Sequence, residues 1–327
     1  MSLVLRIDKP GIYDLSAAQY HADPCIQPSF SRSIAKLLCD LSPAHARNAH
    51  PRLGYGAVGA EDEVEMIQHD AVEDRDAGQA AHSIFLRGEN IVERIGFDDF
   101  RTKAAKQARD EALQAGRIPL KQNKYDDVMR LVEALEGYRA RTGAFTKGKP
   151  ERTLIWRDGP AWCRCMVDWL YDDPSEPIDD LKTTSGRAIA RLWGRRAFDS
   201  ACDLQAVFYP IGAAEVREGV IPQGMRFHVV ETRAPYGIKM FEFDPEALEI
   251  ASEKLNYARN LWNNCMQSGE WPSYDSSIEA IEAPIWVRRE WDWQMRSRNI
   301  QLSRTPPNWE KRAEVVDRML RGGNLAG

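Results

Sequence analysis

The sequence holds few cysteines for its length, six in 327 residues: Cys25, Cys39, Cys163, Cys165, Cys202 and Cys265. None forms a C-x-x-C pair, so paired knuckles for a structural zinc are absent. Thinly spread thiols in a chain of this size point to free cysteines rather than a disulfide framework. No apolar run approaches the roughly 18 residues of a membrane span, and no membrane partner is expected. Residues Met1 to Pro10 carry Arg6, Asp8 and Lys9 and no long apolar core. That is not a secretory leader, and a cytoplasmic protein is the expectation. Internal repeats and low-complexity tracts are also missing, which removes solenoids. Positive charge is not in excess: 44 Lys and Arg stand against 49 Asp and Glu, a net of −5. This argues against a protein that coats nucleic acid by charge alone. It leaves open a nuclease, whose carboxylate cluster is itself acidic and which needs only a local basic track.

What remains is an ordinary globular composition, 43% hydrophobic and 28% charged. The charge is unevenly placed. Residues 61–76 hold eight acids and one base, with few apolar anchors, and read as a loop. Residues 286–327 hold nine bases and five acids, a basic tail. Along the rest of the chain the spacing predicts a helix from Ile34 with Ser31 or Ser33 as N-cap, a restart after Ser42-Pro43, and a short helix over Gly78–Gly88. Longer helices follow over 101–116 and 123–143. Glu151–Arg157 and Trp162–Leu170 flank Asp158-Gly159-Pro160, a hairpin signal. A third strand covers Ile178–Lys182, two helices cover 186–196 and 199–213, and two more strands cover Met225–Glu231 and Ile238–Phe243. Asp244-Pro245 then caps a helix to about Ser268. Helices, three strands, helices, two strands and a helix make an α/β domain with a central mixed sheet flanked by helices and a helical N-terminal part.

The chemistry concentrates on Asp168, Asp180 and Lys182. Side chains alternate along a strand, so Asp180 and Lys182 share a face, ~6–7 Å apart along the chain. A short turn brings Asp168 alongside from the preceding strand. Phosphodiester hydrolysis needs such a set, because the anionic phosphate repels hydroxide. Carboxylate oxygens hold a hard divalent cation that neutralises charge and acidifies a bound water. A lysine beside it orients the water or stabilises developing charge. The backbone carbonyl of Leu181 is a further oxygen ligand in this reading. A surface ion pair would use the same D-x-K. Gln205 and Tyr209 stand at i and i+4 on one helix face; they fit a contact to phosphate or support for Lys182, and equally a helix–sheet contact. His82, four residues after Gly78, fits a metal ligand or phosphate contact, and equally a satisfied core histidine.

The ordered set Gly78-x-x-x-His82, Asp168, Asp180-Leu181-Lys182 and Gln205-x-x-x-Tyr209 resembles the RecB-like branch of the PD-(D/E)XK nucleases. More closely, GIYDLSAAQYHADP, SRSIAKLLCDLSPAHA, RTKAAKQARDEALQAGRIPL, ERTLIW and GEWPSY are similar to the exodeoxyribonuclease VIII (RecE-type) family of phages and prophages, over about residues 10–290. The resemblance implies a PD-(D/E)XK fold in one domain over 1–290, with a helical front part at 10–145, a catalytic sheet core at 150–268 and the basic tail at 291–327. It adds Glu151 as a metal-region candidate beside His82, Asp168 and Asp180. It implies Mg2+-dependent 5'-to-3' digestion of double-stranded DNA from ends, giving 3' single strands for recombination. A ring-shaped homo-oligomer and a single-strand-annealing recombinase partner are implied with it. By ligand chemistry Mn2+ serves as well as Mg2+. A related branch carries an iron–sulfur cluster on four cysteines; with only Cys265 after Cys202, no such cluster is expected.

DNA needs a track of bases. Arg187, Arg191 and Arg195, spaced i, i+4, i+8, with Arg196 beside them, are expected to form one helix stripe next to Lys182. A solvated helix face would look the same. Two other functions stay in view: a structure-specific or restriction-like endonuclease on the same scaffold, and a non-catalytic DNA-binding recombination accessory protein.

Overall fold

The computed structural model of the chain describes residues 6–54, 70–89, 91–97 and 100–297. Contacts divide the chain into two units, Met1–Asp275 and Ser276–Gly327. This division falls at 275, where the sequence reading sets its boundary at 290.

The first unit opens with strand β1 (Gly11–Tyr13) and helix α1 (Ala17–His21). Ser16 and Gln19 close a reciprocal capping box at the start of α1. Strand β2 (Ser29–Phe30) leads into α2 (Arg32–Asp40), whose N-cap is Ser31, and α3 (Pro43–Ala49) follows. Helix α4 (Asp70–Arg87), β3 (Val92–Ile95), α5 (Lys103–Gln114), β4 (Ile118–Lys121) and α6 (Gln122–Thr142) come next. Gly143 ends α6 at φ 72°, a left-handed conformation that glycine adopts without a Cβ penalty.

The hairpin β5 (Gly148–Asp158) and β6 (Ala161–Tyr171) then builds the centre, followed by β7 (Ile178–Thr184). Helices α7 (Ala190–Asp199) and α8 (Cys202–Val216) cross back to β8 (Met225–Glu231) and β9 (Ile238–Phe241). The long helix α9 (Pro245–Ser268) closes the unit, with the Asp244 carboxylate accepting from the Ala247 amide at 2.8 Å.

The main sheet runs β1-β5-β6-β7-β8-β9, with β2 pairing β6; β3 and β4 form a separate parallel pair. Only β7–β8 and β2–β6 are parallel in the main sheet. One face packs Leu154, Trp156, Val167, Phe227 and Val229 against Leu38, Phe208 and Trp262 of α2, α8 and α9. The other packs Trp169, Leu181 and Val230 against Phe85, Leu131 and Leu135 of α4 and α6. Burying each large apolar side chain contributes ~1.5–3 kcal/mol. The expected α/β architecture with a central mixed sheet between helices is therefore present.

Several local expectations are corrected. The acidic stretch is not all loop: its last residues, from Asp70, belong to α4, while 61–69 lie outside the described residues. The short helix at Gly78–Gly88 is the end of that longer α4. Helix α7 begins at Ala190, not 186, and α8 at Cys202. Glu151 is interior to β5 rather than at its start. Strands β1, β2, β3 and β4 and helix α1 are additions.

In the second unit, α10 (Ile285–Ser297) covers the start of the basic tail, a helix the sequence reading did not assign. Residues 298–327 of that tail lie outside the described residues. Among the described residues no helix is long and apolar enough to cross a membrane.

Candidate active site

The site forms where β6 is shared between two partners. Near its start β6 pairs β2, with Ser29 opposite Trp162 and Phe30 opposite Cys163. Near its end it meets β7 at Trp169 opposite Asp179. Between these points β6 and β7 part, and Asp168 stands at the fork. Its carboxylate replaces a ladder partner: Oδ2 accepts the Leu181 amide at 2.8 Å. An acidic group is thereby fixed against β7.

A second irregularity aims the neighbouring groups. The β5–β6 ladder pairs Pro150 with Trp169 and Arg152 with Val167, skipping Glu151 and Asp168 between them. Glu151 has φ 46°, left-handed for a non-glycine residue inside a strand. Such a conformation costs ~1–3 kcal/mol and is kept where the surroundings impose it. The side-chain alternation of β6 slips by one here. Cys163, Cys165 and Val167 face the main core, whereas Trp169 and Tyr171 face the second. The slip turns both acids toward the fork.

His82 bridges them, with Nδ1 3.3 Å from Glu151 Oε1 and Nε2 3.0 Å from Asp168 Oδ2. Arg87, one further turn along α4, ion-pairs with the Glu151 carboxylate. Gly78 explains how α4 comes so near: a Cβ there would lie 2.8 Å from Thr183 Oγ1 of β7. The absent side chain lets the helix rest on the strand and carries His82 over the fork one turn later.

Asp180 projects from β7 into the same place and is 1% exposed. Its Oδ1 accepts a short hydrogen bond from the Gln205 amide of α8. Its Oδ2 lies 2.6 Å from the Lys182 ammonium, a close ion pair. Tyr209, one turn beyond Gln205, is buried in the main core.

The electrostatics follow from burial and crowding. Burial first, then the Asp168 charge, raise the Asp180 pKa above the usual carboxylate range, against the pull of Lys182. Burial also works against charged Asp168, but His82 and Lys182 outweigh it and the net shift is downward. For His82 the desolvation cost is overcome by Asp168 and Glu151, which raise it to about 10. Burial opposes charge on Lys182, yet Asp180 above all keeps its pKa raised.

The structure thus brings His82, Glu151, Asp168, Asp180, Lys182 and Gln205 together. Two expectations for supporting residues change. Gln205 holds Asp180 rather than Lys182, and Tyr209 is a core residue beside the site. Arg87 was not foreseen, since no spacing rule links a helix end to a strand residue 64 positions on.

The expected arginine stripe is also corrected. Arg187 precedes α7, and its guanidinium pairs with Glu231 at 2.7 Å. It is engaged at the end of β8 instead of lying on a helix with Arg191. Arg191 and Arg195 are on α7 and exposed, while Arg196 donates to Thr184 Oγ1 at 2.9 Å.

Carboxylate oxygens from Glu151, Asp168 and Asp180, with the Leu181 carbonyl, are the hard donors a divalent cation takes. Among the described residues no three His, Cys, Asp or Glu side chains already form a cage. His82, Arg87 and Lys182 supply the positive charge between the acids instead. The crowding of Asp168 against buried Asp180 is the observation that fits a cation, because closely packed carboxylates need positive charge between them.

With this geometry in hand, a family model described as "PDDEXK-like domain of unknown function (DUF3799)" matches residues 63–284. The chain belongs to that PDDEXK-like family. The match contains every residue of the cluster and leaves out β1 through α3. Divalent metals are general to PDDEXK nucleases, so a nuclease fold with a metal-type acidic centre is what the family supplies. A crystal structure from Eubacterium rectale, described as "Putative exonuclease", is similar at TM-score 0.48 and 12% identity, covering 85% of this chain and 98% of the other. No curated protein sequence matches.

Proposed function

We propose that the protein is a divalent-metal-dependent exodeoxyribonuclease acting on the ends of double-stranded DNA. The observation that carries this reading is the convergence of Asp168, Asp180 and Lys182 at the fork between β6 and β7. Asp168 and Asp180 would hold the cation, with Glu151, the Leu181 carbonyl and, once cation binding displaces its proton, His82 as further ligands. Bound there, the metal would supply an acidified water and charge neutralisation at the phosphate. Lys182 keeps a permanent positive charge beside Asp180 and offers N–H donors to the charge that develops on the phosphate oxygens. Gln205 fixes the Asp180 carboxylate by its amide, so the oxygen facing Lys182 keeps its aim. His82 and Arg87 hold Glu151 and Asp168 in place from α4. Arg191, Arg195 and Arg196 give α7 a basic face on which a DNA backbone is neutralised.

The finer reading is RecE-type: 5'-to-3' digestion, leaving 3' single strands for recombination, by a ring-shaped homo-oligomer working with a single-strand-annealing recombinase. Its support is the likeness of GIYDLSAAQYHADP, ERTLIW and GEWPSY to that family. Mg2+ is the proposed ion, with Mn2+ able to replace it on oxygen ligands.

The test uses linear duplex, labelled at either 5' or 3' ends, and covalently closed circular duplex. With Mg2+ the linear DNA is shortened from its 5' ends and the circle is untouched; EDTA stops the reaction. Cutting of the circle would instead make the protein an endonuclease, and binding without cutting would make it an accessory factor.

A further inference from the structure

A cleft of about 530 Å3 lies between α6 and the β8–β9 turn, apart from the nuclease centre. Its lining includes Arg130, Glu133, Tyr138 and Arg141 from α6, and Tyr236 and Gly237 from the turn. The volume falls in the ordinary range for small-ligand sites. The α6 residues recur every three or four positions and so form one stripe. Arg139 points the opposite way, donating to the Phe85 carbonyl of α4 at 2.7 Å. Helix α6 therefore separates this cleft from α4 and His82.

The lining has the chemistry of a nucleotide site. Two phenol rings supply apolar faces with anchored hydroxyls: Tyr138 contacts His228 Nδ1 at 2.9 Å, and Tyr236 reaches Asp127 at 3.4 Å. Two guanidinium groups supply positive charge at the rim. Arg130 is tied to Asp127 at 3.0 Å. Arg141 is exposed and makes no hydrogen bond or ion pair with a described residue. Glu133 is the one carboxylate of the lining. An aromatic ring beside an uncommitted arginine suits a base and its phosphate.

The sheet fixes where the cleft lies. The turn is anchored beside the catalytic strand, since the Thr232 amide donates to the Thr184 carbonyl at 2.9 Å. Lys182 of β7 lies opposite Val229 of β8, and Val230 opposite Ile238 of β9. Ile238 at the cleft edge is thus two strands from Lys182, roughly 10 Å of sheet at the usual strand spacing, with Lys182 projecting from the opposite face, so a strand joining the two sites would pass around the sheet.

We infer that this cleft binds a nucleoside phosphate, either a free mononucleotide or one unit of a single DNA strand. The strand source rests on the nuclease reading; the nucleotide chemistry does not. The experiment measures fluorescence anisotropy of a labelled single-stranded oligonucleotide of about twelve residues on the full chain, in EDTA so that no cleavage occurs. Deoxythymidine monophosphate serves as competitor. Arg141→Glu and Tyr236→Ala are expected to weaken oligonucleotide binding by about five-fold or more, the low end of one base stacking interaction. Tyr236→Phe keeps the ring and binds as the wild type does. Because the readout is binding in EDTA and not cleavage, the result stands apart from the fate of the nuclease proposal. Competition by the mononucleotide identifies the free nucleotide as ligand, and its failure to compete identifies the strand. Unchanged binding by Arg141→Glu overturns the inference. So does an equal loss in Lys106→Glu, an exposed base outside the cleft.

Discussion

Asp179 and Asp180 are consecutive residues of β7, both buried, and they live in opposite conditions. Asp179 faces the second core and is saturated. Tyr171 donates to it at 2.5 Å, Arg226 at 2.6 Å, and His228 Nε2 lies at 3.0 Å. Burial opposes its charge, but His228, Arg226 and Tyr171 hold its pKa below the usual value. Asp180, turned to the other face, has one amide and one ammonium, and its pKa is raised. The same side chain is a structural anchor with three partners on one side of the strand and a crowded acid with two on the other. Donor count, not burial, separates the two roles.

Stability should split along that line. Asp179→Ala strands Arg226 and His228 beside Tyr171 and is expected to cost ~3–5 kcal/mol, as loss of one partner from a buried pair does. Asp180→Ala removes an acid crowded by Asp168 and is expected to stay within ~1 kcal/mol of wild type. Urea unfolding of both variants checks this, and equal losses would break the contrast.

Asp23 extends the saturated class. It is fully buried, accepts from the Ser29 hydroxyl at 2.7 Å, and stands among His50, Arg52 and Arg164. Burial would raise it, but His50 and Arg164 bring it down to about 2. A depressed folded pKa gives stability that is present above the unfolded value near 4 and lost as pH falls through about 2. The contribution is about 2 kcal/mol. Asp23→Asn should flatten the acid limb of unfolding free energy between about pH 4 and pH 2; an unchanged slope would contradict the assignment.

Gly78 probes the crowded side through its scaffold. A methyl at this position meets Thr183, so Gly78→Ala should shift α4 and His82 and lower cleavage about tenfold, the scale of a sub-ångström misplacement. Steady-state digestion of linear duplex measures it. The smallest effect is expected from Arg187→Ala, less than twofold on DNA affinity, because Glu231 already holds that guanidinium. The Arg191→Ala/Arg195→Ala double variant should lose more affinity and show a shallower salt dependence. The reverse ranking would restore the stripe expected from spacing.

Spacing alone made much of this site legible. The β5–β6 hairpin has a clear turn between two apolar runs, and D-x-K puts two charges on one face by strand period. Q-x-x-x-Y and G-x-x-x-H each mark one helix face, although only Gln205 and His82 reach the fork. What stayed hidden depends on tertiary placement. Strands β1 and β2 have three and two residues, too few to show alternation, and β2 exists only because β7 leaves β6 open. The left-handed Glu151 and the slip it imposes carry no local signal. Arg187 sits at helical spacing from Arg191, yet the chain is not yet helical there, and Glu231 holds both Arg187 and the Ala188 amide.

The most direct measurement compares wild type with Asp180→Ala on end-labelled linear duplex in Mg2+, at equal concentrations of folded protein shown by circular dichroism. The expected result is release of label by the wild type, none in EDTA, and none by the variant. Digestion by Asp180→Ala at the wild-type rate would contradict the assignment of the β6–β7 fork as the nuclease centre.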